Sequence, residues 1–325
     1  MGKLEFAIRR VFQLVLTLWA VGTMLFVIFR LMPGDPTSYI LSPGMDAEAR
    51  RQIVEDFGLN APMHEQYISF LTNAVFLDFG RSFHTSEPVQ DVIFRLLPNT
   101  LVLMLAAFTM AYTAGVILGV FVGASRGTKF EKGGIVLALV QRSMPTFWVG
   151  ILVLWVFGAY LGVIPMAGMR SPGASPDSFL AMVFSLDFFW HLIAPAACLA
   201  FYAMGYPLLL MRNSMLEILG EEFIDVCEAK GLKRRTVLFK HAARNAFLPI
   251  VTAAAVSLGF AVGGSVLIET VFGWPGLGRE MVRSVIRRDF PVAQGAFIML
   301  AGFVITMNFI ADLAYGYLDP RVTYD

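Results

Sequence analysis

The 325-residue sequence is short of charge: Asp, Glu, Lys and Arg make up 15% of it, where soluble domains carry about 25%. Apolar residues make up 57%, more than one water-facing core can hide, so the surrounding solvent is a bilayer. Charge of one sign is missing too. The 25 basic and 24 acidic residues leave a net +1, which excludes a surface built to neutralise nucleic-acid phosphates. Cysteine is scarce, and Cys198 and Cys227 lack CxxC or Cys/His spacing. That excludes a disulfide framework and a zinc site, and both read as small buried hydrophobes.

Catalytic spellings are equally thin. No G-x-x-x-x-G-K-[ST] occurs, so the chain cannot hydrolyse ATP by a P-loop. His64-Glu65 is followed by Ile68 where the HExxH zinc motif needs its second histidine. Gly123-Ala124-Ser125-Arg126-Gly127 spells G-x-S-x-G, but it ends an apolar run, where a nucleophile elbow needs a preceding strand and an Asp/His pair. A membrane hydrolase built on Ser125 therefore lacks its partners. No metal ligands and no catalytic residues are expected. No internal repeat is visible, which weighs against inverted-repeat carriers.

What the sequence has is long uncharged runs: Val11–Phe29, Leu96–Ser125, Ser143–Met169, Phe188–Met211, Asn245–Ile268 and Val292–Ala311. Each approaches or exceeds the ~20 residues of a spanning helix, and their continuity argues for helices rather than the alternating strands of a barrel. The first exceeds the roughly 7–15 apolar residues of a signal peptide and reads as a retained span. His191 is the single ionisable residue in these runs, and the missing intramembrane carboxylates disfavour a gradient-driven carrier or channel. Arg142 flanks a run and can snorkel to the interface. Gly115, Gly119 and Gly123 form a double GxxxG, and Gly259 with Gly263 another, both signs of close helix packing. Pro145, Pro195 and Pro207 sit inside runs and predict kinks, either around a cavity or for packing alone.

All six lysines (Lys3, Lys129, Lys132, Lys230, Lys233 and Lys240) fall in segments that six spans place on one side, the cytoplasmic one by the positive-inside rule. Glu269–Pro291 breaks the pattern with Arg279, Arg283, Arg287 and Arg288 on the outer side. Arg279, Arg283 and Arg287 recur every four residues and predict one stripe of a short helix. The stripe either attracts a peptide carboxylate or faces water and acidic partner groups. The 66-residue outer segment Leu31–Leu96 has a net charge of −5. Asp46 before Ala47–Phe57, and Pro62 before Met63–Phe76, predict short capped helices there. Such an acidic cap suits docking of a partner, or is simply a solvated face.

On the cytoplasmic side, Glu221 to Leu232 predicts a short amphipathic helix. Acidic residues open it, Lys230 closes it, Gly231 is a natural C′ stop, and Phe223, Val226 and Cys227 make an apolar face. Such a helix docks in a partner's groove or lies on lipid. The run Glu222–Pro249, EFIDVCEAKGLKRRTVLFKHAARNAFLP, resembles the cytoplasmic EAA loop of ABC importer permeases of the dipeptide/oligopeptide family. Further matches to that family follow in order: Arg30–Pro36, Asp78–Ser82 with Pro88-Val89, Ser143–Trp148, Glu269–Gly278, Arg288–Pro291 and Leu318–Arg321. Asp225-Val226-Cys227 stands where the family has Glu-Ala-Ala, with the acidic position and Gly231 intact.

The resemblance implies an all-α polytopic membrane protein, with six transmembrane helices of the type I ABC importer permease kind. It implies a cytoplasmic N-terminus and first span over 1–30 and a small extracytoplasmic helical domain over 31–98. A five-helix core would cover 99–318, with a coupling loop at 212–245 and an outer re-entrant segment at 270–294, before a cytoplasmic C-terminus at 319–325. Glu222, Phe223, Asp225, Val226, Cys227, Ala229, Lys230, Gly231 and Leu232 would couple to an ATPase. Arg279, Arg283, Arg287 and Trp274 would line the path or touch a binding protein. The implied partners are a second homologous permease, two cytoplasmic ATPase subunits holding ATP and magnesium, an extracytoplasmic solute-binding protein, and the lipid of a bacterial inner membrane. This chain itself would bind no cofactor. The implied cargo is a di- or oligopeptide, with nickel complexes, glutathione, opines or other peptide-like solutes as alternatives.

Overall fold

A computed structural model describes residues 3–31, 61–174 and 178–318. The predicted helix over Ala47–Phe57 and most of Arg30–Pro36 lie outside the described residues, as does the tail at 319–325. In chain order the helices are α1 (Lys3–Leu31), α2 (Met63–Val75), α3 (Val89–Ala124), α4 (Lys129–Ser143), α5 (Thr146–Val153), α6 (Leu186–Ala203), α7 (Gly205–Ile218), α8 (Glu222–Ala229), α9 (Leu248–Val271), α10 (Leu277–Arg287) and α11 (Phe290–Leu318). Short helical turns and two π-helical segments, Leu154–Tyr160 and Val237–Ala242, join them. No strand runs through the described residues, where pairing is limited to one bridge between Arg81 and Pro88.

Within the described residues, α1 (from Ile8), α3, α6 and α11 (to Asp312) are long and apolar enough to cross a bilayer. The pair Lys129–Ser143 and Thr146–Tyr160, bent by 98°, passes the same test as one broken span. α9 covers the fifth uncharged run with 24 residues. The kink expected at Pro145 is this 98° bend, and the run expected to span over Ser143–Met169 is helical only from Thr146 to Tyr160. The chain turns at Met144-Pro145, whose extended backbone ends α4, and helical structure stops at Tyr160. Proline at 145 supplies the reason, because the residue before a proline is driven out of the helical region. The run Phe188–Met211 likewise divides at Met204 into α6 and α7. Pro207 has no N–H for the Ala203 carbonyl, and the ladder resumes with Leu208 N–H donating to Met204 O at 3.1 Å.

Two compact units emerge: Met1–Thr100 with Pro275–Asp325, and Leu101–Trp274. In the first, α1 packs on α11 and α2. Phe29 meets Phe290 and Phe297 edge-on, with centroids 5.9 and 6.1 Å away, and Phe26 meets Tyr67 at 5.3 Å. Thr23 and Tyr67 share a 2.7 Å hydroxyl bond, and Arg10 pairs with Asp312 at 2.8 Å. The predicted Pro62 start is seen at α2, with Pro62 in the N-cap position.

The second unit is assembled around glycine. α7 lies so close to α3 that a Cβ at Gly115 would meet Met204 O at 2.9 Å. One at Gly119 would meet Leu208 O at 2.7 Å, and one at Gly123 Arg212 O at 3.0 Å. The double GxxxG is therefore a backbone-to-backbone seam, as small residues permit in membranes. Gly205 continues the seam on the other side of α7, where a Cβ would meet Ala138 O of α4 at 2.8 Å. Of Gly259 and Gly263 only the helical backbone of α9 is described. Cys198 is buried in a core with Phe188, Leu192, Ile268 and Trp274, whereas Cys227 is half-buried.

Gly119→Val should destabilise the second unit by about 1–3 kcal/mol through overpacking. A lower thermal midpoint in detergent, with Gly133→Val little changed as an open-space control, is the expected result.

Candidate functional site

The residues expected to form a coupling loop lie in one connected element. α7 ends at Ile218, a turn through Leu219–Glu221 redirects the chain, and α8 begins at Glu222. Glu222 and Asp225 lie in the first turn of α8, where negative charge complements the helix dipole. Lys230 occupies the C-cap, and Gly231 follows in the left-handed region at φ +72. Gly231 N–H donates to Glu228 O at 2.8 Å, so the glycine stop expected from sequence is present. No atom lies within 4 Å of a Cβ built there, so backbone conformation alone selects glycine.

The predicted apolar face of α8 is divided. Ile224, 3% exposed, faces a core of Val120, Met211, Met215, Val237 and Ile250, with Cys227 packed beside it. Phe223 and Val226 are 37% and 52% exposed. Ala229, Lys230 and Leu232 are exposed as well. One side of α8 thus anchors the helix to its own unit, and the other offers two apolar side chains beside the Asp225 carboxylate. Ile224 was absent from the expected residues although its spacing to Cys227, three positions on, carries the signal.

Beyond Gly231 the chain bends into the π-helix Val237–Ala242. Its first and last residues, Val237 and Ala242, are buried in the same core as Ile224. The wide turn seats the return of the loop on α7.

A second constellation sits in the first unit. Ser82 and Asp289, 207 positions apart, are joined by a 2.5 Å hydrogen bond from the Ser82 hydroxyl, and Phe83 N–H donates to the other Asp289 oxygen at 3.1 Å. His84 Nε2 lies 2.9 Å from Arg287 O. Two of the sequence matches, Asp78–Ser82 and Arg288–Pro291, therefore close one knot. Thr100 caps α10 by accepting Leu277 N–H at 2.8 Å, and Asn99 donates to Pro275 O at 2.7 Å.

Beside this knot lies a cleft of about 260 Å³ lined by Arg279, Arg283 and Arg287 of α10 with Arg95, Glu87 and His84. The predicted four-residue stripe is a stripe of a helix: Arg283 and Arg287 are exposed and Arg279 is half-buried. Glu87 and Arg95 form a bidentate pair at 2.5 and 3.1 Å. The Arg95 guanidinium holds the Glu87 carboxyl below the usual carboxylate range. What this pair adds to stability is therefore present above that range and lost only as pH falls through the lowered value; at an exposed site it is small.

Trp274 is placed elsewhere. It is fully buried, 5.7 Å from Phe188 in the core of the second unit. It packs a core rather than facing a cleft.

Residues 115–324 match the model of the binding-protein-dependent transport system inner membrane component, and residues 3–104 match the N-terminal region of such membrane components. The di/tripeptide transport system permease protein DppB of Pseudomonas aeruginosa is 34% identical over 99% of both chains. The oligopeptide transport system permease protein AppB of Bacillus subtilis is 35% identical over 98% of this chain and 99% of its own. The dipeptide transport system permease protein DppB of Escherichia coli is 32% identical over 99% of both. This chain belongs to the inner membrane component family of binding-protein-dependent transport systems, with the type I ABC permease fold. It is a multi-pass membrane protein.

Gly231→Val should strain the loop by about 1–2 kcal/mol, whereas asparagine, which visits the left-handed region, should be tolerated. Faster protease nicking between α8 and Val237 in the valine variant alone is the expected readout.

Proposed function

We propose that the chain is the first of two permease subunits in an ATP-driven importer that accepts peptides from an extracytoplasmic binding protein and passes them inward by alternating access. The observation that carries this reading is α8: a helix fixed to its unit by Ile224, with Phe223 and Val226 turned outward beside Asp225. Such an element transmits force to or from a partner and performs no chemistry of its own. The relatives, named as di/tripeptide, oligopeptide and dipeptide permeases, support peptide as the cargo class.

In this reading six spans cross a bacterial inner membrane with both termini cytoplasmic, around the 99–318 core and its outer segment 270–294. A second homologous permease completes the pathway. Two ATPase subunits hold ATP and magnesium and grip the exposed side of α8 through Glu222 to Leu232, while this chain binds no cofactor. The outer domain over 31–98, net acidic, receives the binding protein. Arg279, Arg283 and Arg287 meet acidic groups on that protein from the cleft in the first unit. Trp274 has no part in this contact.

Purification of the tagged chain from its native host in mild detergent should bring down a second permease and two P-loop ATPases. Uptake of labelled dipeptides by the assembled complex should require ATP. A chain that emerges alone, or uptake driven by an ion gradient without ATP, overturns the reading.

Charge reversal at Arg283 should raise the half-saturating concentration of binding protein about tenfold at low salt and less at high salt, as rim charges do. Uptake kinetics unchanged at both salt levels would remove the stripe from the contact.

A further inference from the structure

Glu131 was not among the residues singled out by sequence, yet it is 6% exposed and its carboxylate is fully engaged. One oxygen accepts from Arg212 twice, from Nε at 3.2 Å and from Nη2; the other accepts Gly127 N–H at 2.7 Å. Thr128 caps α4 just beside it, accepting Glu131 N–H at 3.3 Å. Arg212 belongs to α7, and its Nη1 donates to Asn213 at 2.8 Å. A single carboxylate therefore ties the turn between α3 and α4 to the helix that leads into α8.

At the same level α7 is held from another direction, because the backbone of Arg212 itself lies 3.0–3.4 Å from where a Gly123 Cβ would stand. One residue before Arg212 and about one turn after it, Met211 and Met215 of α7 share the core that buries Ile224 of α8. Axial sliding of α7 would part the half-buried Arg212 from the buried Glu131 carboxylate, and tilting of α8 would open the Ile224 contact. A buried ion pair is often no more stabilising than apolar residues of the same volume, whereas its geometry fixes register.

We propose that the Glu131–Arg212 pair is the joint that makes α8 and the helices it adjoins move as one body. Both are positioning residues of the transport cycle and touch neither cargo nor nucleotide. This rests on the ATP-driven reading.

The test uses the complete transporter in proteoliposomes with its binding protein and a pool of isotope-labelled dipeptides, and reads peptides imported per ATP hydrolysed. If the wild-type complex imports nothing with ATP, the importer reading falls and this inference with it. Given wild-type import, Glu131→Gln and Arg212→Lys should each lower the ratio about tenfold, within the range of coupling free energies between sites. Thr128→Ala removes a helix cap and leaves the pair in place, so it should lower thermal stability without changing the ratio. The exchange E131R/R212E should restore most of the loss. An assembled Glu131→Gln complex with a ratio within twofold of wild type overturns the proposal. So does an equal loss in Thr128→Ala, which would mark a general structural effect. Failure of Glu131→Gln to assemble, alongside an Arg212→Lys complex of wild-type ratio, overturns it as well.

Discussion

The contact on which the second unit depends is between backbones. In lipid, apolar side chains gain nothing by leaving the solvent for each other, so helices hold together by close packing and by polar bonds. Gly115, Gly119 and Gly123 give α3 a narrow stripe without side chains, and α7 lies against it closely enough that an added methyl group would overlap carbonyl oxygens. Gly205 repeats the device toward α4. With α7 confined on two faces, the Glu131–Arg212 pair can be short, with two guanidinium nitrogens on one carboxylate oxygen, Ile224 has a fixed surface to rest on, and α8 acquires a defined direction. Loosening the seam would blur each of these together.

The two constellations differ in how they are supported. α8 stands on an apolar core and presents its exposed side chains from a rigid base. The arginine cleft stands on a polar knot, in which Asp289 accepts from Ser82 and from Phe83 N–H and also begins α11 through its own carbonyl. Polar networks of this kind specify geometry more sharply than apolar ones, because a small displacement leaves a buried oxygen without its donor.

Much of this was legible in the sequence, and the failures are instructive. The uncharged runs mark where apolar helix lies, the glycine triplet marks the seam, and Gly231 marks the end of α8, since each follows from a local requirement. Hydropathy reports which residues prefer lipid and says nothing of direction, so Pro145 and Pro207 mark kinks in the sequence without revealing that the first is a 98° turn. Phe223, Val226 and Cys227 share a spacing, but only the position of Met211 and Met215 decides that Cys227 goes inward with Ile224 while the other two stay out. Trp274 read as a site residue because it stands in a matched motif; its neighbours in space make it core. Glu131 was missed although Thr128-Lys129-Phe130-Glu131 spells a capping box, whose glutamate is bound to fold back on the start of its own helix.

The link between Ser82 and Asp289 also bears on how the protein is made. Synthesis runs from the N-terminus at about 5–20 residues per second, and the loop carrying Ser82 reaches the membrane long before its partner exists. The second unit is one unbroken stretch, Leu101–Trp274, and can settle as it emerges. The first unit cannot: it waits, with α1 and α3 already in place, until α11 arrives to supply Phe290 and Asp289. Its earliest residues are thus among the last to reach their final positions, and in that interval an insertase or the lipid itself must shelter what α11 will later cover.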